Sequence, residues 1–247
     1  MAPPLVAVAH GSRDPRSAAG VMSLLAVVRA RRPELDVRAA FLDLSAPRVP
    51  DVLAALHAEG HRDVVIVPLL LGSAFHARVD LPSMVSEAHA RLPRLFTSVA
   101  TVLGPDDRLS AAALHRLTET GASLDDPELG IVLAGAGSSD ATANAAVSAV
   151  ASSWARRFGV AGVRAAFASS ATPDVPAAVA ALRARGARRI AVASWFLAPG
   201  RLPDRVAALA GPDALVAEPL GAAPELASLV LDRYTEAATA PAGLRYA

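Results

Sequence analysis

Three features of the sequence predict an α/β protein built as two tandem, doubly wound parallel-sheet domains. An internal repeat relates the two halves at an offset of 126 residues. Within each copy, short apolar runs alternate with amphipathic segments of helical length. Composition agrees, because 247 residues with 53% hydrophobic and 19% charged side chains suit one large globular domain or two small ones.

The repeat is legible residue by residue. Val37-Arg38-Ala39-Ala40-Phe41 returns as Val163-Arg164-Ala165-Ala166-Phe167, and Pro47, Val49 and Pro50 return as Pro173, Val175 and Pro176. Ala54-Ala55-Leu56 returns as Ala180-Ala181-Leu182, and Gly60 as Gly186. About 15 of the 36 positions from Asp36 to Leu71 are identical in the two copies. Chance would give roughly two or three, so the halves are two copies of one fold. The connector Gly121–Gly130, with Asp125-Asp126-Pro127, separates an expected domain 1–122 from an expected domain 128–247.

In the first copy the pattern predicts strands near 5–9, 36–42, 63–69 and 97–102, and helices near 16–31, 48–59, 79–91 and 107–119. The strands are continuous apolar runs such as Val64-Val65-Ile66-Val67, as required when helices cover both sheet faces. Gly60 stops the second helix, and Pro50 fits in that helix's first turn, where its missing N–H has no partner to lose. The order βαβαβαβα with right-handed crossovers gives a doubly wound sheet. In the second copy the strands fall near 131–135, 163–168, 189–196 and 214–218.

Composition also excludes function classes. Net charge is +1, and the basic residues, all Arg, alternate with Asp and Glu, so no phosphate-binding face for nucleic acid is expected. Cysteine is absent, which removes disulfides, thiolate metal sites, iron–sulfur clusters and thiol nucleophiles together. A metal must therefore be held by His, by carboxylate, or by a ligand that the substrate brings. No run reaches the ~20 apolar residues of a membrane span. Met1-Ala2-Pro3-Pro4 lacks a basic n-region, so no signal peptide is read and the cytoplasm is the expected location.

In open parallel sheets, ligands bind at the carboxyl ends of the strands. That rule sorts the six histidines. His10 directly follows the first strand, and His76 lies in the segment after the third, so both belong to that edge. His61 precedes the third strand and belongs to the opposite edge. His57, His89 and His115 fall within helices, where packed or solvated histidines are the ordinary case. The repeat adds a comparison. Gly11, Ser12 and Asp14 match Gly137, Ser138 and Asp140, whereas His10 matches Ala136 and His76 matches Leu202. The second copy keeps the loop and lacks both imidazoles, so one half is read as active and the other as scaffold or lid. Three other readings fail. A histidine phosphatase needs Arg where Ala9 stands, a serine hydrolase needs Gly-x-Ser-x-Gly, and Gly135-Ala136-Gly137-Ser138 lacks the P-loop Lys.

A strand ending in His10-Gly11-Ser12-Arg13, the segment Phe41-Leu42-Asp43-Leu44-Ser45-Ala46-Pro47, and Val67-Pro68-Leu69-Leu70-Leu71-Gly72-Ser73-Ala74-Phe75-His76 followed by Asp80-Leu81-Pro82 together resemble the sirohydrochlorin chelatases. These class II enzymes put cobalt or ferrous iron into sirohydrochlorin for cobalamin or siroheme. The resemblance spans both halves, as in two-domain members with one active half. It implies that His10 and His76 handle metal and protons, and that Leu71, Gly72, Ser73, Ala74 and Phe75 line the substrate. Two positions depart from the pattern. Members often carry Glu just before the Pro matching Pro47, where this chain has Ala46, which leaves Asp43 as the nearest carboxylate; and the family's Gly-x-His reads here as Gly72-Ser73-Ala74-Phe75-His76.

Metal insertion suits neutral imidazole, which is a ligand for Fe²⁺, Co²⁺ and Ni²⁺ and a base near neutral pH. The substrate's carboxylates suit Ser12, Arg13, Arg78 and helix N-termini. The metal is then a substrate and no permanent cofactor is expected. Partners are expected to be limited to a small tetrapyrrole, with no nucleic acid and no membrane. A fused pair of copies also replaces a homodimer of single copies, which makes a monomer the expectation. The competing reading is a two-lobed carrier that binds a tetrapyrrole or metal without turnover.

Overall fold

The computed structural model describes residues 2–72 and 79–240, together with the backbone of 245–246. In chain order the elements are β1 (Leu5–Ala9), α1 (Pro15–Arg31), β2 (Val37–Phe41), α2 (Val49–Ala58), β3 (Asp63–Pro68), α3 (Leu81–Arg91), β4 (Phe96–Val99) and α4 (Asp107–Glu119). There follow β5 (Leu129–Gly135), α5 (Ala141–Arg157), β6 (Gly162–Phe167), α6 (Val175–Ala184), β7 (Arg189–Trp195), α7 (Arg201–Ala210), β8 (Leu215–Val216), α8 (Pro224–Thr239) and β9 (Arg245–Tyr246). The alternation expected from the apolar runs is present in both copies, with boundaries differing by a few residues.

One sheet has the strand order β2-β1-β3-β4-β9 and the other β6-β5-β7-β8. All pairings are parallel except β9 on β4, which is antiparallel. The repeat holds down to register: Leu5 faces Val37 and Ala9 faces Phe41 in the first sheet, while Ile131 faces Val163 and Gly135 faces Phe167 in the second. β1 and β5 are buried along their whole length, which accounts for their uninterrupted apolar sequences. α1 and α5 start in the same way. The carboxylate of Asp14 accepts the N–H of Arg16, and that of Asp140 accepts the N–H of Thr142, each satisfying a first-turn donor.

The compact units are Met1–Gly104 with Ala222–Ala247, and Pro105–Gly221. Strands β1–β4 precede the connector near 122–128 and β5–β8 follow it, but β9 returns to β4 and the last helix of each copy packs on the other copy's sheet. α4 follows β4 in the chain and packs on β7, while α8 follows β8 and packs on α1, β3 and β4. α4 buries Leu109, Ala112, Ala113 and Leu117, and Ser110 Oγ accepts a hydrogen bond from Trp154 Nε1 at 2.6 Å. α8 buries Leu226, Leu229, Val230 and Tyr234. Tyr234 Oη donates to Pro3 O at 2.8 Å and Arg233 Nε to Val102 O at 3.2 Å. An apolar stripe on a helix shows that it must be covered, and does not say by which sheet.

Among the described residues, no helix is long and apolar enough to cross a membrane.

Candidate functional site

The site begins where β1 ends. Ala9 O accepts the N–H of Leu42 at 3.0 Å, and His10 O accepts that of Asp43 at 2.9 Å, so the ladder between β1 and β2 continues into the loops beyond both strands. Gly11 then turns at φ +91°, and a Cβ there would lie 1.7 Å from the carbonyl oxygen of Asp43. Only glycine allows both the left-handed turn and this approach. Ser45 locks the two loops together: its Oγ accepts the N–H of Ser12 at 3.0 Å and donates to Ser12 O at 2.9 Å. Ser12 Oγ accepts the N–H of Asp14 at 3.0 Å, which leads the chain into α1.

On this frame His10 is half-buried at the carboxyl end of β1, with Nδ1 3.0 Å from Gly11 O. Asp43 is exposed. Its Oδ1 accepts the N–H of Leu44 at 2.8 Å and lies 3.3 Å from Arg48 Nη1. Arg13 is exposed on the same loop. Leu71 and Gly72, both half-buried, follow β3, the other neighbour of β1, so they share this edge. The structure thus brings His10, Ser12, Arg13, Asp43, Leu71 and Gly72 to one edge of one sheet. Ser73, Ala74, Phe75, His76 and Arg78 lie outside the described residues.

The second copy repeats the frame without the imidazole. Gly137 turns at φ +83°, and a Cβ there would lie 1.9 Å from Ser169 O. Ala136 O accepts the N–H of Ser169 at 2.9 Å, and Ser138 Oγ accepts that of Asp140 at 3.0 Å. Where Ser45 clamps Ser12, the second copy uses Asn144, whose Oδ1 accepts the N–H of Ser138 and whose Nδ2 donates to Ser138 O. Ser12 therefore has a loop-shaping role that Ser138 shares, and the first loop differs in its clamp and in carrying His10.

The sequence singles out His10 and Asp43 but passes over Ser45 and the Gly11–Asp43 approach. Both lie within the quoted motifs. Their partnership becomes visible only once β1 and β2 are known to be neighbours.

The remaining described histidines lie elsewhere. His115 is exposed on α4 beside Glu119, and His57 sits in the last turn of α2. His89 is buried, 8% exposed, with Nε2 3.1 Å from Thr97 Oγ1, and burial lowers its pKa below the usual histidine value. His61, on the opposite edge as expected, forms a group with Asp36 and Glu59 whose potential ligand atoms lie within 4.8 Å of one another. Arg38 already holds both carboxylates there, donating to Asp36 Oδ2 at 2.8 Å and to Glu59 Oε1 at 2.8 Å. The guanidinium occupies the place of a cation, and the group is an ion-pair network.

The CbiX family model matches residues 4–120 and again residues 130–237. The chain is 24% identical over 205 residues to a sirohydrochlorin cobaltochelatase of Priestia megaterium, covering 81% of this chain and 65% of that protein. It is 29% identical over 133 residues to a sirohydrochlorin ferrochelatase of Bacillus subtilis (strain 168), covering 54% of this chain and 50% of that protein. The matched region thus spans between half and two thirds of the length of these two relatives. In structure it is similar to SirB from Bacillus subtilis with Fe³⁺, with a TM-score of 0.81 at 24% identity over 97% of this chain and 96% of that one. It is also similar to a CbiX described as the terminal enzyme of siroheme biosynthesis in denitrifying bacteria, with a TM-score of 0.68 at 22% identity over 95% and 99% of the two chains. Each copy matches the family as one consecutive stretch, so the exchange of α4 and α8 concerns packing and not sequence order. The chain belongs to the CbiX family and carries that family's sequence twice.

Proposed function

We propose that the protein is a sirohydrochlorin chelatase that inserts Co²⁺ or Fe²⁺ into the tetrapyrrole, with chemistry confined to the first copy. The observation that carries this reading is His10. It is half-buried at the carboxyl end of β1, on a loop whose glycine turn and main-chain bond to the neighbouring loop recur in the second copy with Ala136 in its place. An imidazole needed to shape that loop would be needed twice. The names of the relatives supply the substrate, and the absence of cysteine is consistent with a nitrogen ligand.

In the overall reaction the free-base macrocycle and M²⁺ give the metallated macrocycle and two protons. The two pyrrole N–H bonds break and release two protons as the four ring nitrogens bind the metal, which sheds its water in exchange. A neutral imidazole from His10 suits both tasks, as a ligand that releases the metal readily and as a proton acceptor. His76 is assigned the partner role on sequence grounds. Asp43, exposed on the same edge as His10, supplies a carboxylate there. Arg13 and Arg78 are assigned to the substrate's carboxylates. The fused copies favour a monomer, with no permanent cofactor.

The carrier reading differs in one observable, which is turnover. Anaerobic incubation of sirohydrochlorin with Co²⁺ or Fe²⁺ should show the absorbance change of metallation accelerated by catalytic amounts of protein. Acceleration limited to one equivalent would support the carrier.

A further inference from the structure

We infer that Leu44 is a substrate contact, an apolar side chain held out on the site's edge to touch the macrocycle. This rests on the proposed function and adds a residue to it. Leu44 has φ +61°, in the left-handed region that a residue with a Cβ enters only at a cost. Buried packing is not what holds it there, because Leu44 is 44% exposed. Its backbone is fixed by polar groups: Asp43 Oδ1 accepts the N–H of Leu44, and Asp43 O accepts that of Ser45, each at 2.8 Å. Ser45 in turn is locked to Ser12, and Asp43 N–H to His10 O at 2.9 Å. Leu44 is thus tied to the His10 loop and exposed at the same edge.

The second copy separates backbone from side chain. Its counterpart, Ser170, keeps the same conformation at φ +55° and is also exposed, but it is polar. The left-handed turn therefore belongs to the fold, and the leucine belongs to the half that carries His10. The conformation recurs at Ser170 and so belongs to the fold, whereas the exposed apolar side chain of Leu44 goes unrewarded in the free protein. A flat, largely apolar ring edge laid over this loop would cover Leu44 and supply the compensation.

The test compares wild type with Leu44→Ser, the residue of the second copy, with Leu44→Asn, which tolerates the left-handed region, and with Leu44→Met. Binding of metal-free sirohydrochlorin is read by fluorescence quenching, turnover by anaerobic Co²⁺ insertion, and folding by thermal unfolding. We expect the Ser and Asn variants to raise Kd and KM for sirohydrochlorin about tenfold, with kcat and the KM for Co²⁺ within twofold of wild type. Their unfolding temperatures should match or exceed wild type, and Leu44→Met should restore most of the affinity. Ser and Asn variants that bind like a wild type that itself binds would overturn the assignment of Leu44 alone. So would a clear fall in unfolding temperature, since that would make the side chain structural. Wild type that neither binds nor metallates sirohydrochlorin would overturn the proposed function, and the role of Leu44 with it.

Discussion

At the scale of single residues, the site's geometry rests on glycines more than on the groups that do chemistry. Gly11 and Gly137 both place backbone where a Cβ would overlap a carbonyl oxygen, at 1.7 and 1.9 Å. Gly60 also has positive φ, at +97°, but has nothing within 4 Å of that position. Alanine at Gly60 should therefore cost only the conformational term, on the order of 1 kcal/mol. At Gly11 the clash adds to it, and a loss of ~3 kcal/mol is expected, with the β1 and β2 loops forced apart. Urea unfolding of the two variants checks the contrast; equal losses would show that the Gly11–Asp43 approach relaxes easily. The sequence displays Gly11 and Gly137 as a repeated pair, and it displays His10 as the unrepeated neighbour. What it conceals is why the glycine is there, because the oxygen it approaches lies 32 positions away, on a loop brought near only by strand pairing. The same holds for Ser45, which reads as an ordinary loop serine until Ser12 is seen beside it.

At the scale of elements, the apolar runs mark β1 to β8 and the helices of the first copy but not β9, and Asp14 and Asp140 sit where α1 and α5 begin. The runs say less about polar groups inside the layers. His89 on α3 faces Thr97 on β4, both buried, and burial lowers the histidine's pKa. The sign of the consequence follows. Above the ordinary histidine value of about 6.5 the imidazole is neutral folded or unfolded, and the pair is indifferent to pH. Below it the unfolded chain binds the proton more readily than the folded one, so stability falls as pH falls. Wild type should therefore lose urea resistance between pH 7 and pH 5.5. His89→Gln, which keeps a partner for Thr97 but does not titrate there, should show a shallower decline. Parallel pH profiles for the two proteins would assign the acid sensitivity to other groups. The helical position of His89 marks it in the sequence as packed or solvated, and only the position of β4 decides between these.

At the scale of the whole molecule, the two copies are consecutive in sequence and interleaved in packing. The 126-residue offset reveals two folds and the sheet each belongs to, yet α4 and α8 carry apolar stripes that either sheet would accept, so their exchange is invisible until the chain is folded. It has a consequence for truncation. Removing residues 222–247 deletes α8, which buries Leu226, Leu229, Val230 and Tyr234 in the unit containing His10. Hydrogen exchange should then show β1, β2 and β3 losing protection while β5, β6 and β7 retain theirs. Loss confined to the second sheet would contradict this division. The asymmetry of the copies is also the basis of the functional account, since one loop geometry occurs twice and an imidazole once. The most direct measurement is the rate of anaerobic Co²⁺ insertion into sirohydrochlorin by wild type and by His10→Ala, with unfolding curves taken on both. The account predicts unchanged folding and a rate reduced at least a hundredfold, as expected for loss of a positioned proton acceptor. A well-folded His10→Ala protein that inserts metal at the wild-type rate would contradict it.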